Sequence, residues 1–109
     1  KFVKGHSDDW VFDQDKNGRI TRVGKYGDDQ FNMCGVAFFK AKDAKTIADA
    51  IKEAYKHPGT YETLFWDDIV NQNLDKLDLN VHEVFHNQIV EIDSVKELEI
   101  VDSNYKLYN

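Results

Sequence analysis

The residues best suited to chemistry lie in one run, Tyr61-Glu62-Thr63-Leu64-Phe65-Trp66-Asp67-Asp68. Aromatic rings beside carboxylates can do two jobs. The ring faces can hold a cation through their quadrupoles, as aromatic cages hold quaternary ammonium groups. A carboxylate can hold a hard ion such as magnesium. The same residues can instead be structural, with Phe65 and Trp66 in the core and Asp67 and Asp68 as the acidic residues favoured at a helix start. Spacing alone favours the structural account, because aromatic core residues are common.

A second pattern, Asp13-Gln14-Asp15-Lys16-Asn17-Gly18-Arg19-Ile20, opens like a calcium loop. Such a loop needs a bidentate Glu at its twelfth position, where this chain has Gly24, and helices on both sides, where the flanks read as strands. A hairpin turn rich in Asp and Asn is the favoured reading, and a calcium- or partner-binding module built on it is kept as a non-enzymatic alternative. His6, His57, His82 and His86 form no H-E-x-x-H pair and read as surface residues. Cys34 sits in an apolar run and reads as a small hydrophobe; as the single cysteine it excludes an internal disulfide. There is no Walker loop, no G-x-G-x-x-G and no G-x-S-x-G, so the chain carries no phosphate cradle of its own.

Elements must position these residues. Trp10-Val11-Phe12 and residues 19–23 read as hairpin strands around the Asn17-Gly18 turn. Residues 25–30 are polar with Gly27 among them and read as a loop. Residues 33–39 are nearly all apolar and read as a strand buried on both faces. Ala44, Ile47, Ala48, Ile51, Ala54 and Tyr55 recur at helical spacing, and the helix should stop at His57-Pro58-Gly59. Phe65, Trp66, Ile69, Val70 and Leu74 form a second helical stripe. Residues 81–84 and 89–92 read as short strands. Ser94-Val95-Lys96-Glu97 has the capping-box form that opens a last helix. Strands alternating with helices indicate an α/β or α+β domain.

Composition narrows the function classes. Twenty acidic against 14 basic side chains give a net charge of −6, which argues against non-specific nucleic-acid binding. With 41% hydrophobic residues the 109-residue chain can bury a core, and it is read as one domain over 1–109. No apolar run approaches the roughly 20 residues that span a bilayer. The start, Lys1-Phe2-Val3-Lys4-Gly5-His6, has no apolar signal region, so a cytoplasmic setting is the expectation. The absence of an initiator Met suggests a piece of a longer protein.

Four segments in order resemble the C-terminal half of bacterial CTP:phosphocholine cytidylyltransferases, members of the nucleotidyltransferase superfamily. They are Asp9-Trp10-Val11-Phe12, Gly35-Val36-Ala37-Phe38-Phe39, Leu64-Phe65-Trp66-Asp67-Asp68, and the closing run from Asn87 to Leu98 with Glu91-Ile92-Asp93-Ser94-Val95 at its centre. The resemblance implies a Rossmann-like, GT-A-type α/β fold with a mixed sheet and flanking helices, of which this chain is the C-terminal, acceptor-binding portion. It implies that Trp10 and Phe65 pack on the choline cation with Glu91 nearby, and that Trp66 lines the pocket or the core. It implies that Asp67 coordinates magnesium, with Asp93 as a further metal-site residue. The implied reaction transfers CMP from CTP to phosphocholine, giving CDP-choline. A sugar phosphate or phosphoethanolamine is the alternative acceptor. The glycine-rich, nucleotide-binding half of such enzymes is not in these residues, so the chain alone is expected to be inactive. An isolated sheet edge could also self-associate.

Overall fold

A computed structural model describes residues 1–108, with the side chains through residue 106. The chain opens with β1 (Phe2–Ser7), β2 (Val11–Gln14), β3 (Ile20–Gly24) and β4 (Gly27–Asn32). Three α-helices follow, α1 (Ala41–Ala54), α2 (Trp66–Gln72) and α3 (Val95–Val101). Short 3-10 turns lie at Tyr61–Thr63, Leu74–Lys76 and Ser103–Tyr108. The strands form one sheet in the order β1-β4-β2-β3, and every pairing is antiparallel. The mixed sheet expected from the resemblance is therefore not what these residues build.

The β2–β3 hairpin forms where the sequence places it. Gly18 takes the left-handed φ of +83° that the turn requires. One Asp15 carboxylate oxygen accepts the backbone N–H groups of Asn17 (2.8 Å) and Arg19 (3.0 Å). Opposite Asp13, Arg22 pairs with its carboxylate at 2.5 and 3.1 Å, and Gln30 donates to the same group. Asp13 and Asp15 are thus committed within the sheet and its turn, as a hairpin needs and a calcium loop does not.

All three predicted helices form, with α1 ending ahead of His57-Pro58-Gly59. The second is shorter than its stripe: Phe65 is its N-cap and Leu74 lies in the 3-10 turn beyond it. The α1 stripe buries Ile47 against Val70 of α2 and Leu77, which is 2% exposed. Phe39, Ile51, Leu74 and Leu79 complete this core. Arg19 fastens it to the sheet by donating to the carbonyls of Leu74 and Leu77. Ser94 caps α3 by accepting the Glu97 N–H, while the Glu97 carboxylate accepts from the Ser94 hydroxyl and the Asp93 N–H. No helix among the described residues is long and apolar enough to cross a membrane.

Three strand readings fail. Residues 33–39 make no strand: Val36 is 77% and Phe38 87% exposed, and no ladder runs beside them. Residues 81–84 and 89–92 make none either. A strand needs a hydrogen-bonding neighbour as well as apolar side chains, and an apolar run does not reveal whether the neighbour is there. Conversely, most of the polar stretch 25–30, read as a loop, is β4. It lies between β1 and β2, where backbone pairing on both sides fixes it despite its outward-facing Asp28 and Asp29.

Candidate functional site

β3 and β4 are consecutive in sequence but flank β2. Gly24 at the end of β3 lies opposite Val11. The two-residue link Lys25–Tyr26 therefore leaves beside Trp10, the residue preceding β2. Trp10 is anchored by its carbonyl, which accepts the Met33 N–H at 2.8 Å. From the other side α2 brings Phe65, its N-cap residue, edge-on to Trp10 with ring centroids 6.3 Å apart. Phe65 has no side-chain acceptor for the helix, so Asp68 supplies the cap, taking the Phe65 N–H at 2.9 Å.

A cation occupies this aromatic pair. The Lys25 Nζ stands 4.5 Å from the Trp10 ring centroid and 5.6 Å from that of Phe65. The Asp68 carboxylate lies 3.8 Å from the same nitrogen. All of these distances fall in the range where ring quadrupoles and a carboxylate attract an ammonium. Sequence reasoning missed Lys25 and Asp68 as members of the site. The signal for Lys25 was a lone basic residue in a two-residue link between Gly24 and Gly27, which topology carries past Trp10.

The next two residues of the motif face elsewhere. Trp66 and Asp67 line a cavity of about 440 Å³, walled also by Phe12, Val23, Phe39 and Val70. Trp66 meets Phe39 edge-on at 6.3 Å, so it is a wall residue. Asp67 is 3% exposed, and its Oδ2 has no hydrogen-bond partner. Burial pushes its carboxyl above the usual range, with the neighbouring Asp68 charge adding to the effect. A buried oxygen with a spare lone pair suits a hard cation that takes its remaining ligands from phosphates and water, as magnesium does. Among the described residues lining the cavity, Asp67 is the one carboxylate. Asp93 and Glu91 are exposed and do not line the cavity. Among the described residues no three His, Cys, Asp or Glu side chains are grouped to hold a metal by themselves. The four histidines are exposed, and Cys34, half-buried and outside any strand, accepts from the Lys1 amino group.

This arrangement of sheet and helices matches part of a solved bacterial nucleotidyltransferase. Over 94% of its length the chain matches 45% of a solved structure of CTP:phosphocholine cytidylyltransferase from Streptococcus pneumoniae, with a TM-score of 0.79 and 26% identity. In sequence it is 50% identical over 101 residues to a 2-aminoethylphosphonate cytidylyltransferase from Lancefieldella rimae, covering 93% of this chain and 41% of that protein. It is 36% identical over 77 residues to a choline-phosphate cytidylyltransferase from Streptococcus pneumoniae, covering 71% of this chain and 33% of that protein. No protein-family model matches the chain. The chain is related to one part of the bacterial choline-phosphate and 2-aminoethylphosphonate cytidylyltransferases. It spans less than half the length of the curated relatives it matches.

Proposed function

We propose that this chain forms the acceptor side of a CTP-dependent cytidylyltransferase whose acceptor is a small phosphonate or phosphate bearing a primary ammonium, best matched by 2-aminoethylphosphonate. The domain of residues 1–109 works in this reading with a nucleotide-binding half that binds CTP. The observation that carries it is the Lys25 ammonium, a primary alkylammonium resting against Trp10, Phe65 and Asp68. A primary ammonium offers three N–H donors to the Asp68 carboxylate, whereas the trimethylammonium of phosphocholine offers none. The 50% identity to the Lancefieldella enzyme over 93% of the chain supports the same acceptor. Phosphocholine is thereby displaced as the first choice.

In the reaction an oxygen of the acceptor dianion attacks the α-phosphorus of CTP, and the bond to pyrophosphate breaks. A phosphate monoester with a second pKa of about 6 is already a nucleophile near neutral pH, and the dianion of a phosphonate attacks through the same kind of anionic oxygen, so no general base is required. Trp10, Phe65 and Asp68 hold the far end of the acceptor and orient its anionic end, each ring contact contributing about 0.5–2 kcal/mol. Asp67 would hold magnesium, which when bound neutralises charge between the two anions. The test is pyrophosphate release from CTP in the enzyme that carries this chain. 2-Aminoethylphosphonate should exceed phosphocholine in kcat/KM by roughly tenfold or more. Equal or better turnover of phosphocholine would return the assignment to choline.

A further inference from the structure

We propose that Lys25 is a resident competitor in the acceptor's cation site: its ammonium stands where the ammonium of the incoming acceptor must stand, and it leaves when the acceptor enters. The inference rests on reading the Trp10–Phe65 pair as that site. Three groups converge on the Lys25 nitrogen, two rings at 4.5 and 5.6 Å and the Asp68 carboxylate at 3.8 Å. A second ammonium in contact with the same three groups would stand close to the Lys25 nitrogen and be repelled by it. Occupation by Lys25 and by a ligand is therefore mutually exclusive.

The geometry also makes Lys25 able to leave. Its side chain is 58% exposed, so the ammonium moves into water without crossing a packed layer. Lys25 and Tyr26 belong to no strand, so the motion breaks no ladder hydrogen bond. The Trp10 backbone stays fixed through the Met33 N–H, and the Asp68 side chain through its bond to the Phe65 N–H. The site that Lys25 vacates is thus already formed. Its contacts are surface cation–π and ion-pair contacts, each weak, and together they lower ligand affinity by roughly two- to tenfold.

Nuclear magnetic resonance on the chain tests this directly, with ethylammonium and 2-aminoethylphosphonate as probes. In the wild type the Lys25 Hε signals should be displaced upfield by the Trp10 ring current. They should move to ordinary lysine positions as either probe saturates. Lys25→Met should bind both probes roughly two- to tenfold more tightly. Lys25→Gln serves as a second variant should the first fail to fold, and the wild-type Hε displacement needs no variant. Unchanged or weaker binding in both variants would overturn the competitor role. Probe binding that perturbs neither Lys25 nor Trp10 would overturn the acceptor-site reading itself, and the competitor role with it. That outcome is distinguishable, because the Lys25 ring-current displacement would still be present.

Discussion

His6 on β1 is held by two carboxylates, Asp28 of β4 and Asp8, each 3.0 Å from a ring nitrogen. The Asp28 bond and then the Asp8 bond raise its pKa above the ordinary 6.5. A raised histidine pKa means the protonated form is favoured by the folded state. The His6–Asp28 tie between β1 and β4 is therefore fully present below pH 6.5 and lost as pH rises through the folded value. A proton titration of the His6 ring should give a midpoint above 6.5, and Asp28→Asn should return it toward 6.5. Asp67 presents the opposite situation, a carboxylate buried without a partner for Oδ2. Asp67→Asn should abolish transfer in the enzyme while stabilising the chain by about 1 kcal/mol at neutral pH, since a neutral amide is cheaper to bury than a charge. A thermal melt checks the sign, a gain of this size being about 4–8 °C in a domain of this length. A fall in melting temperature would mean that Asp67 has a stabilising partner.

At the scale of elements, α3 hangs on its cap. It is seven residues long, contributes no buried side chain, and contacts mainly the turn that follows it. Isolated helices this short are unstable in water. Ser94→Ala should cost α3 about 1 kcal/mol. Hydrogen exchange should show the Leu98 amide losing protection while Ile51 in α1 keeps its own. Sequence made this cap legible because Ser-x-x-Glu is local chemistry. The α1 stripe and the Asn17-Gly18 hairpin were legible for the same reason: period and turn geometry lie within a few residues. The strands misread at 33–39, 81–84 and 89–92 depend on distant partners, which composition does not encode. The site divides the same way. Phe65 and Asp67 were singled out from their motif and Trp10 through the family resemblance, while Lys25 and Asp68 joined the aromatic pair only through strand order and a helix cap. β1 was not anticipated at all, because Phe2-Val3-Lys4-Gly5-His6 carries only a weak alternation.

At the scale of the molecule, the radius of gyration is 16.7 Å, against about 13 Å for a compact domain of this length. Exposed Val36, Phe38, Phe85, Val90, Ile92 and Ile100 account for where the apolar surface went. Such surface associates in water. Light scattering on the purified chain should show mass rising with concentration, and an environment-sensitive apolar dye should brighten on it. The outer edge of β3 contributes less, because Ile20 donates to the Leu79 carbonyl and Asn71 accepts from Val23. Association should therefore follow the apolar residues, and Phe38→Ser with Val36→Ser should reduce it. The link Lys25–Tyr26 has a different reach. A group on so short a tether is present at its own site at an effective concentration of millimolar or more. Acting as proposed, Lys25 lowers the affinity of a bare amine and of a zwitterion by the same factor. At a given concentration the ligand that still fills the site is therefore the one whose anionic end finds further contacts.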